Sequence, residues 1–308
     1  MAHQGELAAL ATAIFWAVTS IFFSEAGKRI GSFNVNKIRL VMAVAIYSIL
    51  LTFTTGSPVP AGVNKHEIFW LGLSGFVGLV IGDSCGFKAL VMIGPRLMTL
   101  LYSTAPIMAS IVAWVFLGEK LKPVDLLGIS VTMAGVAWVI TEKRSQNKNS
   151  SVSHEHPDQG SFRRGILLGF GAALGQALGL VLAKKGMLHA GGTVSAMPAS
   201  FIRMVTATLS IWTISAFRGK LGGVVTALKD SKAIRLCFGG TFFGPFLGVW
   251  MSLVALQYIS TGVAATLNAT TPVMIIPLVM IYYKERVSIR AITGALLAVS
   301  GVTILFLA

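Results

Sequence analysis

The sequence predicts an all-α integral membrane protein whose ten transmembrane helices form two inverted five-helix repeats, and three observations carry that prediction. First, 55% of the 308 residues are hydrophobic and 12% are charged, with a mean hydropathy of +0.78. A soluble domain carries about twice that charge fraction. Second, the apolar residues come as runs of roughly 20, the length that a hydrocarbon core of about 30 Å requires, and not as alternating faces. Third, the chain repeats itself at a shift of 166 residues. Thr104-Ala105-Pro106-Ile107-Met108 recurs as Thr270-Thr271-Pro272-Val273-Met274, and a glutamate follows each proline after 13 residues, at Glu119 and Glu285. At that same shift Gly78, Gly82, Ala89, Leu90 and Ile93 fall on Gly244, Gly248, Ala255, Leu256 and Ile259, and Gly128 and Gly135 fall on Gly294 and Gly301. Ile38-Arg39 falls on Ile202-Arg203 at nearly the same shift.

The runs are 6–24, 36–55, 68–90, 96–117 and 123–141, then 164–183, 195–217, 234–256, 262–283 and 288–307. Each must be a helix, since a segment in lipid has to satisfy its own backbone hydrogen bonds, and no short alternating strands suggest a barrel. The first run lacks a basic n-region and a small-residue cleavage site, and it shares the bundle pattern, so it is expected to be a span and not a removable signal. The second opens with Arg39, as the seventh opens with Arg203. The third carries Gly78, Gly82 and Gly86 at four-residue steps, the sixth Gly171, Gly175 and Gly179, and the eighth Gly240, Gly244 and Gly248. Such strips lie near one helix face and let backbones approach closely, for fixed packing or for sliding. The fourth and ninth hold Pro106 and Pro272 at mid-span, where a lost hydrogen bond is expected to kink the helix. The polar residues before them (Tyr102, Ser103 and Thr104; Asn268, Thr270 and Thr271) either take up the freed carbonyls or face a solute.

Between the halves lies the one polar linker, giving a division into 1–141, 142–163 and 164–308. Its His154-x-His156 lacks the further ligands of a metal site, and Cys85 and Cys237 define neither a disulfide framework nor a metal cluster. Neither a metal nor a cofactor is expected. Five spans per half is an odd number, so the second half enters the membrane in the opposite direction, and such a pair forms two faces that open in turn around a central site.

The net charge of +14 suggests nucleic acid only at first sight. Lys65, Lys120, Lys122, Lys184 and Lys185 lie on the side of the termini, against about nineteen basic residues on the other, among them Lys28, Arg29, those of the linker and of 218–235, Lys284 and Arg286. By the positive-inside rule the linker is cytoplasmic and the termini are not. The charge belongs to the loops; the partners expected are lipid and a small solute.

Ionisable residues inside the membrane are functional hypotheses by default. Asp83 stands within the third span, and its repeat partner is Val249, so the duplication does not require it. Three roles are open: neutralising Lys88 or another cation, contacting a cationic or amino group of a solute, or carrying a coupling proton. Lys88 is five positions on, about 140° around an ideal helix, an awkward placing for a direct pair. Trp16, Ser20, Gln176 and Trp250 sit near mid-depth and join Asp83, Lys88, Tyr102 and Asn268 as expected solute-binding residues. Arg39 and Arg203 read as side chains that snorkel to the interface, and Glu119 and Glu285 as elements of topology and packing. No catalytic set is visible: the histidines at 3, 66, 154, 156 and 189 lie in loops or at helix ends, and no phosphate loop is present, so neither enzymatic turnover nor ATP drive is expected.

Paired five-helix halves, the Arg that opens the second span of each, Pro106 and Pro272, and Gly118-Glu119-Lys120-Leu121 together resemble the drug/metabolite transporter superfamily, in its EamA-type ten-helix form. The segment Gly82-Asp83…Phe87-Lys88-Ala89-Leu90…Ile93-Gly94 is similar to one that many bacterial members carry. Lys284 in place of Gly118, and the absence of an acid answering Asp83, make the halves unequal. The resemblance implies a secondary carrier of the inner membrane that moves a small amino-acid-like or amphipathic metabolite, outward in many members, through a cavity between the halves and without ATP. An uncoupled facilitator or channel is the alternative, a membrane-embedded enzyme a more distant one. Proton coupling, the substrate and the oligomeric state are open at this point.

Overall fold

The computed structural model describes residues 3–140, 159–189, 192–219, 222–283 and 288–307. The linker motif His154-x-His156 and the Lys284-Glu285-Arg286 segment lie outside the described residues. Ten helical spans are long and apolar enough to cross a bilayer. The first repeat contains α1 (Gln4–Ile30), α2 (Ser32–Thr55), α3 (Lys65–Gly75), a π-helical stretch Phe76–Gly82, α4 (Asp83–Tyr102), α5 (Ala105–Leu117) and α6 (Pro123–Ile140). The second contains α7 (Gln159–Met187), the two-residue strands β1 (Leu188–His189) and β2 (Gly192–Thr193), α8 (Ala196–Phe217), the short α9 (Gly222–Leu228), α10 (Ser231–Thr241), a second π-helical stretch Phe242–Gly248, α11 (Val249–Tyr258), α12 (Thr261–Asn268), α13 (Thr271–Tyr283) and α14 (Ile289–Leu307). The β1–β2 pair is an addition to the all-helical expectation; α7 takes in the last residues of the polar stretch between the halves.

Local sequence accounts for the helix ends. Gly31 turns α1 into α2 in a single residue, at φ 79°, with its N–H donating to the Gly27 carbonyl. Few side chains accept that φ. Asn64 and Glu67 cap the start of α3 reciprocally, at 2.9 and 2.8 Å. Asp230 accepts from the backbone of Lys232 and Ala233 at the head of α10, and from Arg29 at the foot of α1. The Ala233 N–H first, then Arg29, holds its carboxyl below the usual carboxylate range.

The glycine strips meet across the repeats. A Cβ on Gly175 would stand 2.7 Å from Gly82 Cα, and one on Gly179 would stand 3.0 Å from Gly78 Cα, so α7 of the second repeat lies backbone to backbone on the third span of the first. The reciprocal contact places Gly240, Gly244 and Gly248 against Phe23, Thr19 and Trp16 of α1. Each repeat's opening helix thus packs on the other's third span. A further seam joins α6 and α14, where Gly135 meets Ala298 and Gly301 meets Thr132. Space between these backbones is filled by backbone, the arrangement that small residues permit in lipid.

The chain reverses within α4. A straight helix would carry Leu101 about 24 Å from Cys85. Yet Cys85 lies against Gly171, Ile93 against Gly165 and Leu101 against Gly169, so the backbone follows α7 to Ile93 and comes back along it. In the second repeat the same reversal falls at Ile259 and Ser260, where the helix is interrupted.

The two prolines do not kink continuous helices. The fourth span ends one helix at Tyr102 and restarts at Ala105, with Pro106 in the first turn of α5; the ninth stops at Asn268 and restarts at Thr271, with Pro272 following. A proline in a first turn removes a hydrogen bond that has no partner anyway. Hydroxyls take up the carbonyls before the break: Ser103 donates to Leu100 and Thr104 to Leu101, Thr270 to Leu267 and Thr271 to Asn268, at 2.6–2.9 Å.

Candidate functional site

The two π-helical stretches are related by the 166-residue shift, residue for residue. π-helical turns inside α-helices are rare and gather at functional sites. The first stretch ends where Asp83 begins α4. Arg39, about two turns into α2, donates from Nη2 to Asp83 Oδ2 at 2.5 Å and from Nε to Asn36 Oδ1 at 2.7 Å. The Arg39 and Asp83 side chains are only 7% and 17% exposed, so this ion pair is internal. Gln176, from α7 of the other repeat, donates to Asp83 Oδ1 at 3.3 Å. One carboxylate therefore gathers a cation from its own repeat and an amide from the other. Asp83 faces Arg39 and not Lys88, which is exposed and outside the cluster. Arg39 does not snorkel to the interface; it is turned inward and buried.

Tyr102 extends this group. Asp83, Arg39 and Gln176 all act on its hydroxyl, and 37% of its surface is open. Its repeat partner Asn268 is different: Asn268 Oδ1 is enclosed and accepts no hydrogen bond from any described residue. The remaining expected residues lie on α1 and α11. Trp16 packs over Gly248, Ser20 is exposed with its hydroxyl donating to the Ala17 carbonyl at 2.7 Å, and Trp250 stands 5.9 Å from the Phe246 ring. Gln176 reaches Asp83 directly and Tyr102 stands beside Gln176, whereas Trp16 and Trp250 border the second π-helical stretch.

Tyr47 escaped notice in the sequence. It is completely buried in α2, and its hydroxyl donates to the Phe246 carbonyl at 2.7 Å, inside the second π-helical stretch, next to Pro245. A tyrosine in an apolar run gives no sign of such a partner.

A family profile of EamA-like transporters matches residues 3–141 and again residues 163–307. The chain belongs to that family. This EamA-like transporter also shares its fold with a solved structure described as "Crystal structure of protein": TM-score 0.75, 15% identity, with 100% of this chain and 98% of that chain covered. At that identity the likeness concerns fold alone. A search of curated proteins finds no match. The protein is thus a multi-pass membrane transporter of the drug/metabolite type, with two EamA repeats.

The EamA-like transporter has a second polar cluster, where α5, α7 and α11 end. Gly118 closes α5 in a left-handed turn at φ 68°, after which Glu119 turns inward. Its carboxylate pairs with Lys184 Nζ at 2.7 Å, and accepts from the Thr261 N–H at 2.7 Å and from the Thr261 hydroxyl at 3.0 Å. Lys184 also donates to the Ile259 carbonyl at 2.7 Å. Glu119 of the first repeat thus caps α12 of the second, and ties the broken turn at Ile259 and Ser260 shut. Lys184 is therefore not a loop charge: it is buried. Sequence marked the Glu119 motif by its repetition; its partners come from residues that look unremarkable as a string.

Proposed function

We propose that this transporter is a secondary carrier of the inner membrane that moves a small amino-acid-like or amphipathic metabolite outward, by alternating access of its two repeats. The single observation that supports this most is the Asp83 cluster, where a buried carboxylate of one repeat is held by Gln176 of the other. A relative motion of the repeats has to remake that contact, which couples occupancy of the site to the state of the bundle. Tyr102 is the open approach, and Trp16, Ser20, Trp250 and Asn268 line the rest of the path; Lys88 is not part of it. The Glu119–Lys184–Thr261 cluster is the latch of the mouth opposite the linker, which is the outer mouth in the orientation that the basic loops favour. Protons are the proposed coupling ion.

The test is efflux from cells that overproduce the protein, with a broad metabolite panel read by mass spectrometry at two external pH values, for wild type and Asp83→Asn. The expected outcome is faster loss of one solute in wild type, and loss of both that flux and its pH response in the variant. Flux that survives the substitution with its pH response intact overturns the role given to Asp83.

A further inference from the structure

We propose that Arg203 is the group that receives a carboxylate of the transported solute. The inference rests on the carrier reading above and narrows its substrate class.

Arg203 lies in α8, 3% exposed. No hydrogen bond or ion pair joins its guanidinium to any described residue, and its Nε is fully enclosed without an acceptor. That is an expensive position for a charge in lipid, and such residues mark substrate pathways. The repeat explains how this state arises. Arg39, its counterpart, has Asp83 for a partner, but the position equivalent to Asp83 is Val249. The chain supplies an acid to one arginine and withholds it from the other.

The other internal cations do not share this state. Lys184 pairs with Glu119, Arg39 pairs with Asp83, and Lys37 is partnered as well as lying 4.6 Å from the Phe33 ring centre. Asp83 and Tyr47 act on Arg203 from a distance. Asp83 does not neutralise it, since its two oxygens are engaged by Arg39 and Gln176, and Tyr47 donates its proton to the Phe246 carbonyl.

The guanidinium itself suits an oxyanion. A Cβ on Gly78 would stand 3.7 Å from Arg203 Nη2, so the guanidinium reaches the glycine strip along which α7 packs on the third span. A guanidinium fork matches the two oxygens of a carboxylate. Among Arg39, Arg203 and Asp83 one positive charge is left over, which a single carboxylate cancels and a phosphate dianion would overshoot.

The experiment uses the purified full-length protein, by thermal shift in detergent and by uptake into proteoliposomes. The probes are small amino acids and monocarboxylates, each beside its own amide, with inorganic phosphate as the other oxyanion. A charge-assisted pair predicts that wild type favours the carboxylate over its amide by about 10- to 100-fold. Arg203→Gln is expected to lose that preference and Arg203→Lys to retain part of it. If wild type moves amides or amines as well as carboxylates, or if Arg203→Gln keeps the preference, the assignment is wrong while the carrier reading stands. A response to phosphate alone also overturns it. If no probe stabilises or crosses, both readings fall. The wild-type comparison decides the matter even if a variant does not fold.

Discussion

Arg39 and Asp83 each bring a charge into the bundle, and at 2.5 Å each stands in for the water the other has lost. Asp83→Asn leaves Arg39 buried beside a neutral amide, and breaking such a pair costs about 3–5 kcal/mol. A marked fall in Tm in detergent is the expected result. Adding Arg39→Gln removes the stranded charge, so the double variant should recover part of the loss without recovering flux. A double variant no more stable than the single one would show that the two residues are not a neutralising unit. Asp83 stood out because Val249 answers it in the repeat. Lys88 is an awkward partner by the 140° that separates the two on a helix. What the string lacked was the third dimension: Arg39 lies 44 residues upstream, and its recurrence as Arg203 looked like a pair of interface anchors. Glu119 was legible as a motif but not as the cap of α12, because nothing near it in sequence names Thr261.

At the scale of elements, the glycines decide how closely helices approach. Gly175→Val would push a branched side chain into Gly82 Cα, and overpacking of that kind costs roughly 1–3 kcal/mol. Gly27→Ala is the control: its Cβ would meet nothing within 4 Å, and the gain in helix propensity should stabilise α1 by up to about 1 kcal/mol. Thermal unfolding of the two variants beside wild type checks both signs, and a Gly175→Val protein as stable as wild type would remove the strip from the packing account. The four-residue spacing of the strips was readable, and so was the likeness of the third and eighth spans. Their π-helical stretches were not, because a hydrogen bond shifted by one residue leaves no mark in an apolar, glycine-rich run. The prolines illustrate the opposite case. As a string each implies a kink; the structure ends the helix and restarts it, since serine and threonine hydroxyls satisfy the carbonyls on the near side of the break.

For the whole molecule, ten spans and an odd number per repeat were legible because hydropathy and the 166-residue shift are properties of the chain itself. The orientation proposed from the basic loops is open to a direct check. With Cys85 and Cys237 replaced by serine, Ala61→Cys in the turn between α2 and α3 should react with a membrane-impermeant maleimide in intact cells, and Lys232→Cys at the head of α10 only after permeabilisation. The reverse pattern would turn the protein over and make the Glu119 latch an inner one. A last consequence concerns how the protein is made. Arg39 and Asp83 belong to the same repeat, the one that leaves the ribosome first. That half can therefore settle into the bilayer with its charges already cancelled, before Gln176 has been synthesised. Arg203 arrives later, without an acid of its own, and the newly inserted second half depends on what the first has prepared.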